Sequence, residues 1–181
     1  MPSFGASSAA LLIVGLAPGL AGANRTGRPF TGDAAGVLLY RTLLRFGFAR
    51  GEFGARADDG LELCRARITN AVRCVPPKNR PESGEISSCR GFLAQEIEGM
   101  EDLRAILALG TLAHRSALLA LGLSPGSYPF VHGRLYELPK GLLLADSYHC
   151  SRTNTNTGRL TEAMFREVFA ALAHRLGVEP L

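Results

Sequence analysis

Short apolar runs alternate with longer amphipathic segments along this chain, and that alternation is the strongest constraint on its fold. The predicted strands cover residues 11–14, 67–75, 105–109 and 142–145, with a less regular one within 128–138, and the predicted helices cover 34–47, 88–99, 111–121 and 159–176. Strands that alternate with helices require crossover connections, which place the strands parallel in one sheet. The pattern therefore predicts an α/β protein, a three-layer αβα sandwich around a short, mainly parallel central sheet.

The length, composition and charge limit the class of protein further. A chain of 181 residues with 46% hydrophobic and 20% charged residues has the size and composition of one globular domain, so residues 1–181 are expected to form a single domain. The net charge is only +4, but residues 25–90 hold 12 Lys and Arg against 7 Asp and Glu, whereas the rest of the chain holds 8 against 9. A polyanionic partner is therefore expected to contact the surface built from residues 25–90.

The start of the chain and its four cysteines bear on the cellular compartment. Residues 2–24 carry no charge and include an apolar stretch similar to that of a signal peptide, but the basic start of such a peptide is missing. Glycines and a proline in this stretch would also interrupt a membrane-spanning helix. We expect a cytoplasmic protein with reduced thiols and no membrane association.

Ligands of parallel sheets bind at the carboxyl ends of the strands, so the loops at those ends are expected to meet at one site. These loops follow Val14, Thr69, Leu109 and Ala145. The first of them, residues 15–33, is rich in glycine, and its exposed amides can cradle a phosphate; a plain surface loop is the alternative. Asp33, at the end of this loop, is the predicted N-cap of the following helix.

Two further loops carry polar side chains with a definite chemistry. The amide of Asn70, near the end of the second predicted strand, can read the carbonyl and N–H of a pyrimidine edge, or it can satisfy nearby backbone groups. His149 follows the last strand, where a histidine can donate a hydrogen bond to a leaving anion or act as an acid or base. The next residues with short polar or basic side chains that fit phosphate oxygens are Ser151, Thr153, Asn154, Asn156 and Arg159. His114 and His132 are interpreted as structural.

Three motifs in a fixed order carry a family resemblance. GLAPG followed by NRTGRPFTGD comes after the first strand, ITNAVRC spans the end of the second, and a His-x-Ser-Arg loop that closes with NTNTGRLT follows the last. From about Leu12 to Phe169 the chain resembles the uracil-DNA glycosylase superfamily, and most closely its fifth, or type b, family.

The resemblance implies an activity in base-excision DNA repair. A monofunctional glycosylase of this kind flips uracil out of DNA and hydrolyses its N-glycosidic bond, leaving an abasic site. The family resemblance extends the expected substrates to hypoxanthine and other deaminated or modified bases. It also implies action on the nucleoid in the cytoplasm of a bacterium or archaeon.

The same resemblance implies roles for residues around the base. Phe30 would stack on the flipped base, and the backbone of Gly15 and Leu16 would contact the base and sugar. Asn70 would read the base edge. His149 would donate a hydrogen bond to the base oxygen as negative charge builds on the leaving base.

By the same resemblance, the loop of residues 150–159 would enter the minor groove and hold the strand open. The residues implied to contact DNA are Arg25, Arg28, Ser151, Arg152, Asn154, Asn156 and Arg159. No divalent metal is expected to take part in the reaction.

Leu16 bears on how water is activated, because other glycosylase families place Asp, Asn or Glu after the first glycine of this motif. Asp33 is the nearest carboxylate in the same loop, and in the type b family it is a candidate for orienting the attacking water. The alternative role is that of a helix N-cap, and both roles are compatible.

The cysteines match the family only in part. Relatives hold a four-iron four-sulfur cluster with four cysteines, and Cys74 and Cys89 correspond to the second two of these ligands, while the first pair is missing. Either the recorded start lies downstream of the true one, or this branch has lost the cluster.

Two other functions remain open from the sequence. One is a damaged-DNA-binding module with impaired catalysis, which turnover on a uracil-containing duplex would distinguish from a glycosylase. The other is an α/β enzyme that acts on free nucleotides or nucleobases, for which binding would lack the salt dependence of DNA contacts. The even charge beyond residue 90 predicts a monomer.

Overall fold

The computed structural model describes residues 1–77 and 81–179. Its strands are β1 (Leu11–Gly15), β2 (Ala49–Arg50), β3 (Glu62–Leu63), β4 (Ala66–Asn70), β5 (Ala105–Leu109), β6 (Leu135–Glu137) and β7 (Leu143–Ser147). Its helices are α1 (Ala23–Thr26), α2 (Ala34–Arg45), α3 (Ser83–Glu98), α4 (Thr111–Ala120), α5 (Arg152–Asn156) and α6 (Glu162–Leu176).

The central sheet has five strands in the order β4-β1-β5-β7-β6. The first four are parallel, and β6 pairs antiparallel with β7 at the edge. In this register Leu11 of β1 lies opposite Ala66 of β4 and Ala105 of β5. The strands β2 and β3 form a separate small antiparallel pair.

Each face of the sheet is covered by helices, which explains why the central strands β1 and β5 are apolar at every position. Leu11 and Ile13 pack in one core cluster with residues of α2 and α6, whereas Leu12 and Val14 pack in a second cluster with residues of α3 and α4. Side chains of successive strand residues point to opposite faces, so a strand covered on both sides has no solvent-facing positions. The predicted α/β sandwich with a mainly parallel sheet is confirmed; the expectation of a single domain stays a prediction.

Several predicted element bounds were wrong for local reasons. The loop of residues 15–33 was expected to hold no helix, yet α1 forms there and ends at Gly27, whose φ of +77° closes the turn. Helix α3 begins at Ser83 rather than at residue 88, because Glu82 and Glu85 form a capping box. Of the segment before this helix, residues 78–80 lie outside the described residues.

The second strand was predicted to reach residue 75 but ends at Asn70. The strand predicted within 128–138 is limited to β6, because the segment before it forms turns. Helix α6 begins at Glu162, where Thr161 caps it by accepting a hydrogen bond from the Met164 amide at 3.1 Å. No helix among residues 1–77 and 81–179 combines the length and apolar character of a membrane span.

Candidate active site

A small cavity opens at the carboxyl ends of β1, β4 and β7, where the sequence predicted that the motifs would meet. Its lining residues are Ala17, Pro18, Gly19, Ala23, Phe30, Asp33, Ala35, Asn70 and His149. The strand register brings these segments together, because Gly15 of β1 lies opposite Asn70 of β4. Four of the predicted site residues, Phe30, Asp33, Asn70 and His149, thus line one cavity.

Phe30 forms one wall of the cavity and is held in an uncommon conformation. Its φ of +54° lies in the left-handed region, which is costly for a residue with a Cβ and is found where surrounding contacts impose it. The side chain is only 7% exposed, and its ring lies 5.8 Å from the His149 ring, at 29° to it. The two rings therefore provide an apolar surface on which a planar group can stack.

Gly15 leaves room for its two neighbours. A Cβ at this position would lie 2.5 Å from Asn70 Oδ1 and 2.7 Å from Phe30 Cζ, both far below ordinary contact. The carbonyl oxygens of Gly15 and Leu16 accept hydrogen bonds from Ala71 and Val72, each at 2.9 Å. Leu16 is not among the residues that line the cavity, so the predicted backbone contacts of Gly15 and Leu16 with a base stay predictions.

Asn70 is buried at the end of β4, with 5% of its surface exposed. Its side-chain amide enters none of the hydrogen bonds found among residues 1–77 and 81–179, and its atoms are not fully enclosed, since Arg90 Nε is the one fully buried side-chain polar atom there that lacks a partner. The amide of Asn70 instead lines the cavity and offers it both a donor and an acceptor. This amide is therefore available to a ligand that presents both a carbonyl and an N–H.

His149 has a fixed backbone and a neutral ring. Burial lowers its pKa below the ordinary value, and the charge of Asp33 offsets only part of that effect. The carbonyl of His149 accepts a hydrogen bond from Asn154 Nδ2 at 2.8 Å, and Gly110 at the start of α4 lies beside its Cβ. A neutral imidazole carries one N–H, which makes His149 a hydrogen-bond donor to an anion in the cavity.

Asp33 caps α2 and also lines the cavity, while its role in orienting the attacking water stays a prediction. Its Oδ1 accepts a hydrogen bond from the Gly36 amide at 2.9 Å, which confirms the predicted N-cap of α2. Its other oxygen, Oδ2, lies beside the backbone of Gly22 and Gly19 in the loop that borders the cavity. The second oxygen can therefore accept a hydrogen bond from water without disturbing the cap.

The predicted DNA-binding residues separate into exposed and structural groups. Arg25, Arg152, Asn156 and Arg159 are exposed. Arg159 also lies over the Tyr148 ring, 4.7 Å from its centre. Ser151 instead caps α5, and Asn154 holds the His149 carbonyl, so the side chains of both are used inside the loop.

Arg28 does not fit its predicted role as a phosphate contact, and that prediction was wrong. The residue is 3% exposed, and its guanidinium forms two hydrogen bonds with the Asp59 carboxylate, at 2.7 and 2.8 Å. A buried arginine that is already paired with a carboxylate offers neither a free charge nor a free donor fork to a phosphate. The role of Arg28 depends on Asp59, 31 residues away in sequence. The motif around Arg28 does not indicate that this partner exists.

The cysteines do not gather into an iron–sulfur site. Cys74 is exposed and Cys89 half-buried, and among the described residues no group of three or more His, Cys, Asp and Glu side chains could hold a metal ion. Two thiolates fall short of the four that such a cluster requires, so these residues do not fit the cluster. Cys150 lies beside His149, where burial raises the pKa of its thiol to about 12 and keeps it protonated.

Some residues that support the site could be recognised in the sequence and others could not. His132, interpreted there as structural, accepts a hydrogen bond at Nδ1 from the Tyr148 amide at 3.1 Å, just before His149. Asp59 and Tyr40 form hydrogen bonds with Arg28 and Pro29, the two residues before Phe30. A carboxylate between an aspartate and a glycine is typical of a surface turn, so nothing in the local sequence indicates that the Asp59 side chain is buried.

Comparison with known proteins agrees with this geometry. The family model described as "Uracil DNA glycosylase superfamily" matches residues 2–173. The chain belongs to the uracil-DNA glycosylase superfamily. This confirms the resemblance that the three motifs indicated.

Within the superfamily, the similar proteins point to the fifth family. A Type-5 uracil-DNA glycosylase of Thermus thermophilus is 46% identical over 168 residues, covering 93% of this chain and 76% of the relative. A Type-5 uracil-DNA glycosylase of Pyrobaculum aerophilum is 41% identical over 177 residues, covering 98% of this chain and 76% of the relative. A Type-4 uracil-DNA glycosylase of P. aerophilum is 36% identical over 138 residues, covering 76% of this chain and 62% of the relative. This chain is therefore a member of the type-5 family.

Proposed function

We propose that this chain is a uracil-DNA glycosylase that removes uracil from DNA by hydrolysing the N-glycosidic bond and leaves an abasic site. Family membership supports the reaction class, that of a hydrolase in base-excision repair. The observation that carries the proposal is the convergence of Phe30, Asp33, Asn70 and His149 on one cavity. In that order, these side chains supply a stacking surface, a carboxylate that accepts a hydrogen bond from water, an amide that reads a base edge and a hydrogen-bond donor to the leaving group.

The base is bound outside the helix, because its glycosidic bond cannot be reached inside the duplex. Phe30 stacks on its face, and the Asn70 amide donates to a base carbonyl while accepting from the adjacent N–H. The unpartnered state of that amide within the described residues supports this role. The pair of hydrogen bonds distinguishes uracil from cytosine, which lacks that carbonyl and N–H arrangement.

Bond cleavage moves an electron pair from the glycosidic bond onto the base, and a water oxygen forms the new bond to the sugar carbon. The neutral His149 ring donates a hydrogen bond to the base oxygen where the charge collects, which stabilises the leaving anion. Asp33 Oδ2 accepts a hydrogen bond from the attacking water and orients it, and the water loses one proton to solvent as its oxygen bonds to the sugar carbon. The released base is then protonated from solvent.

We further propose that hypoxanthine and other modified bases are accepted. Leu16 supports this, since no carboxylate or amide follows Gly15 to add a polar contact that selects one base. Recognition then depends on one amide and one aromatic ring, and a stacking surface accepts purines as well as pyrimidines. A purine with a carbonyl beside an N–H, such as hypoxanthine, presents the same edge to Asn70.

We also propose that the protein is a monomer that works as one domain over residues 1–181. Action on the chromosome of a bacterium or archaeon supports a cytoplasmic location. The exposed Arg25, Arg152 and Arg159 would contact phosphates on either side of the cavity. Light scattering of the purified chain, with and without a uracil-containing duplex, measures the oligomeric state.

The test is strand cleavage after alkali treatment of labelled oligonucleotides that contain uracil, hypoxanthine or only normal bases, each single-stranded and double-stranded. Cleavage at uracil, with none at normal bases, is the expected result, and cleavage at hypoxanthine tests the wider range separately. Salt-sensitive binding of the uracil duplex without any cleavage would instead indicate a damaged-DNA-binding module. Release of base from free nucleosides, but not from DNA, would indicate an enzyme of free nucleotides.

A further inference from the structure

A buried ion pair joins Arg28, two residues before Phe30 in the first motif, to Asp59, which lies outside all three motifs. Arg28 Nη1 and Nη2 donate to the two oxygens of Asp59 at 2.7 and 2.8 Å, and the side chains are 4% and 3% exposed. The amides of Gly54 and Leu61 donate to the same carboxylate at 2.9 and 3.1 Å. Asp59 therefore joins the loop of residues 15–33 to the segment between β2 and β3.

Aromatic rings enclose the guanidinium of this pair. Its central carbon lies 5.3 Å from the centre of the Phe4 ring, 5.1 Å from that of Tyr40 and 5.8 Å from that of Phe53. Aromatic faces attract a cation, and this attraction is stronger where water is excluded. The hydrogen bonds from Arg28 hold the pKa of Asp59 well below its usual range, so the pair is ionised throughout the neutral pH range.

The pair is connected to Phe30 through the residues on either side of it. Arg28 Nε donates to Thr31 Oγ1 at 2.8 Å, and Tyr40 OH donates to the Pro29 carbonyl at 2.6 Å. These two bonds hold the backbone carbonyl of Pro29 and the side chain of Thr31, the residues on either side of Phe30, whose φ is +54°. A left-handed conformation at a phenylalanine persists only when the surrounding structure imposes it.

We propose that the Arg28–Asp59 pair positions Phe30, holding the ring of this stacking residue against His149 and Gly15 so that the base-binding wall is formed before DNA arrives. Asp59 is thus a positioning residue, since it reaches no part of the cavity itself. The proposal rests on the proposed function for its catalytic consequence, but the position of Phe30 can be measured without any substrate.

If the pair only stabilised the fold, the stability and the excision rate of its variants would change together. Breaking a buried pair by removing one partner leaves an unpaired charge, whereas replacing both partners by neutral groups is often neutral for stability. The single variants are Arg28→Met and Asp59→Asn, and the double variant carries both. Asn at position 59 keeps an oxygen that can accept from the Leu61 amide. The matched control is Arg50→Gln with Glu62→Gln, which breaks an exposed ion pair on the neighbouring strands β2 and β3.

The first readout is single-turnover excision of uracil from a duplex, measured together with the Tm of each variant. The single variants are expected to lose stability and about a hundredfold in rate, the effect of a misplacement near 1 Å at a reacting group. In the double variant the Tm should return close to that of the wild type while the rate stays low. The control variant should keep both. Recovery of the rate together with the Tm would overturn the proposal and leave the pair a purely structural one.

The second readout requires no activity. The chain contains no tryptophan, so Phe30→Trp introduces a single fluorescent probe at the position in question. Fluorescence anisotropy should show a restrained indole in this variant and a mobile one when the double substitution at Arg28 and Asp59 is added. An indole that stays equally restrained would contradict the positioning role. If the indole loses its restraint but the wild-type chain itself cleaves no uracil, the positioning role is supported and the proposed function is rejected.

Discussion

The rings of Phe30 and His149 lie 5.8 Å apart, 29° from parallel, although the two residues belong to loops at opposite ends of the chain. Strand pairing across β4, β1, β5 and β7 brings these loops to one edge of the sheet. The stacking surface and the hydrogen-bond donor are therefore fixed relative to each other by the core. A side chain that holds either ring in place affects binding and catalysis together.

Gly15 is expected to be essential for the shape of this cavity. In Gly15→Ala, the new methyl group would meet Asn70 Oδ1 at 2.5 Å and Phe30 Cζ at 2.7 Å, so both residues must move. We expect a loss of about a hundredfold in the single-turnover rate of uracil excision, as for other misplaced reacting groups. Gly84→Ala is the matched control, because a Cβ there, in α3, meets nothing within 4 Å. An unchanged rate in Gly15→Ala would refute the crowding argument.

His149 makes stability depend on pH in a defined direction. Since burial lowers its pKa below 6.5, the unfolded chain takes up the proton more readily than the folded protein. The free energy of unfolding should therefore fall as the pH falls below 6.5, towards the folded pKa. Urea unfolding between pH 8 and about pH 5 should show a smaller fall in His149→Gln than in the wild type. Equal falls in both proteins would contradict the assignment.

His114 is expected to act in the opposite direction. Burial alone would lower its pKa, but the hydrogen bond and charge of Asp146 outweigh it and raise the pKa. Its Nδ1 lies 2.6 Å from Asp146 Oδ1, and its Nε2 lies 2.7 Å from the Tyr128 carbonyl oxygen. Both oxygens can accept a hydrogen bond from the protonated ring, which carries an N–H at each nitrogen. The stabilisation is present below pH 6.5 and is lost as the pH rises through the raised pKa.

The variant Asp146→Asn tests this buried pair. Removal of one charge should lower the free energy of unfolding by about 3 to 5 kcal/mol at pH 6, because it leaves His114 without a counter-ion. The difference from the wild type should shrink as the pH rises and His114 loses its proton. Urea unfolding at several pH values measures both effects. A difference that grows with pH would contradict the charged state of His114.

The exposed and buried arginines should differ in the salt dependence of DNA binding. Arg152 and Arg159 are exposed near the cavity, so Arg152→Ala and Arg159→Ala should each weaken binding at all sequences. Each lost phosphate contact should reduce the slope of log K against log salt by about 0.9. Arg28→Met should leave this slope unchanged, since its guanidinium is paired with Asp59. A reduced slope for Arg28→Met would restore its role as a phosphate contact.

Much of the fold could be predicted because its signals are local. The β1 run Leu11–Val14 is apolar at every position, which indicates a strand buried on both faces, and strand ends then predict where Asn70 and His149 meet. The N-cap of α2 at Asp33 could be predicted for the same reason, since a cap depends on residues three positions apart.

The rest depends on distant partners. Arg28 and Arg25 are chemically alike in the sequence, and only the fold pairs Arg28 with Asp59 and leaves Arg25 exposed. The left-handed φ of Phe30 is likewise accompanied by hydrogen bonds of its neighbours, Thr31 with Arg28 and Pro29 with the distant Tyr40. The short helix α1 escaped prediction because glycines on both sides hide a single turn.

Asn70 provides the most direct test of the central claim that this cavity binds the base. The measurement is single-turnover uracil excision from a duplex by the wild type and by Asn70→Ala, with duplex binding and the Tm measured in parallel. We predict a loss of about a hundredfold or more in rate, because recognition of the leaving base is lost, with little change in Tm or in binding of undamaged DNA. Wild-type excision by Asn70→Ala would contradict the account and place the base-binding site elsewhere.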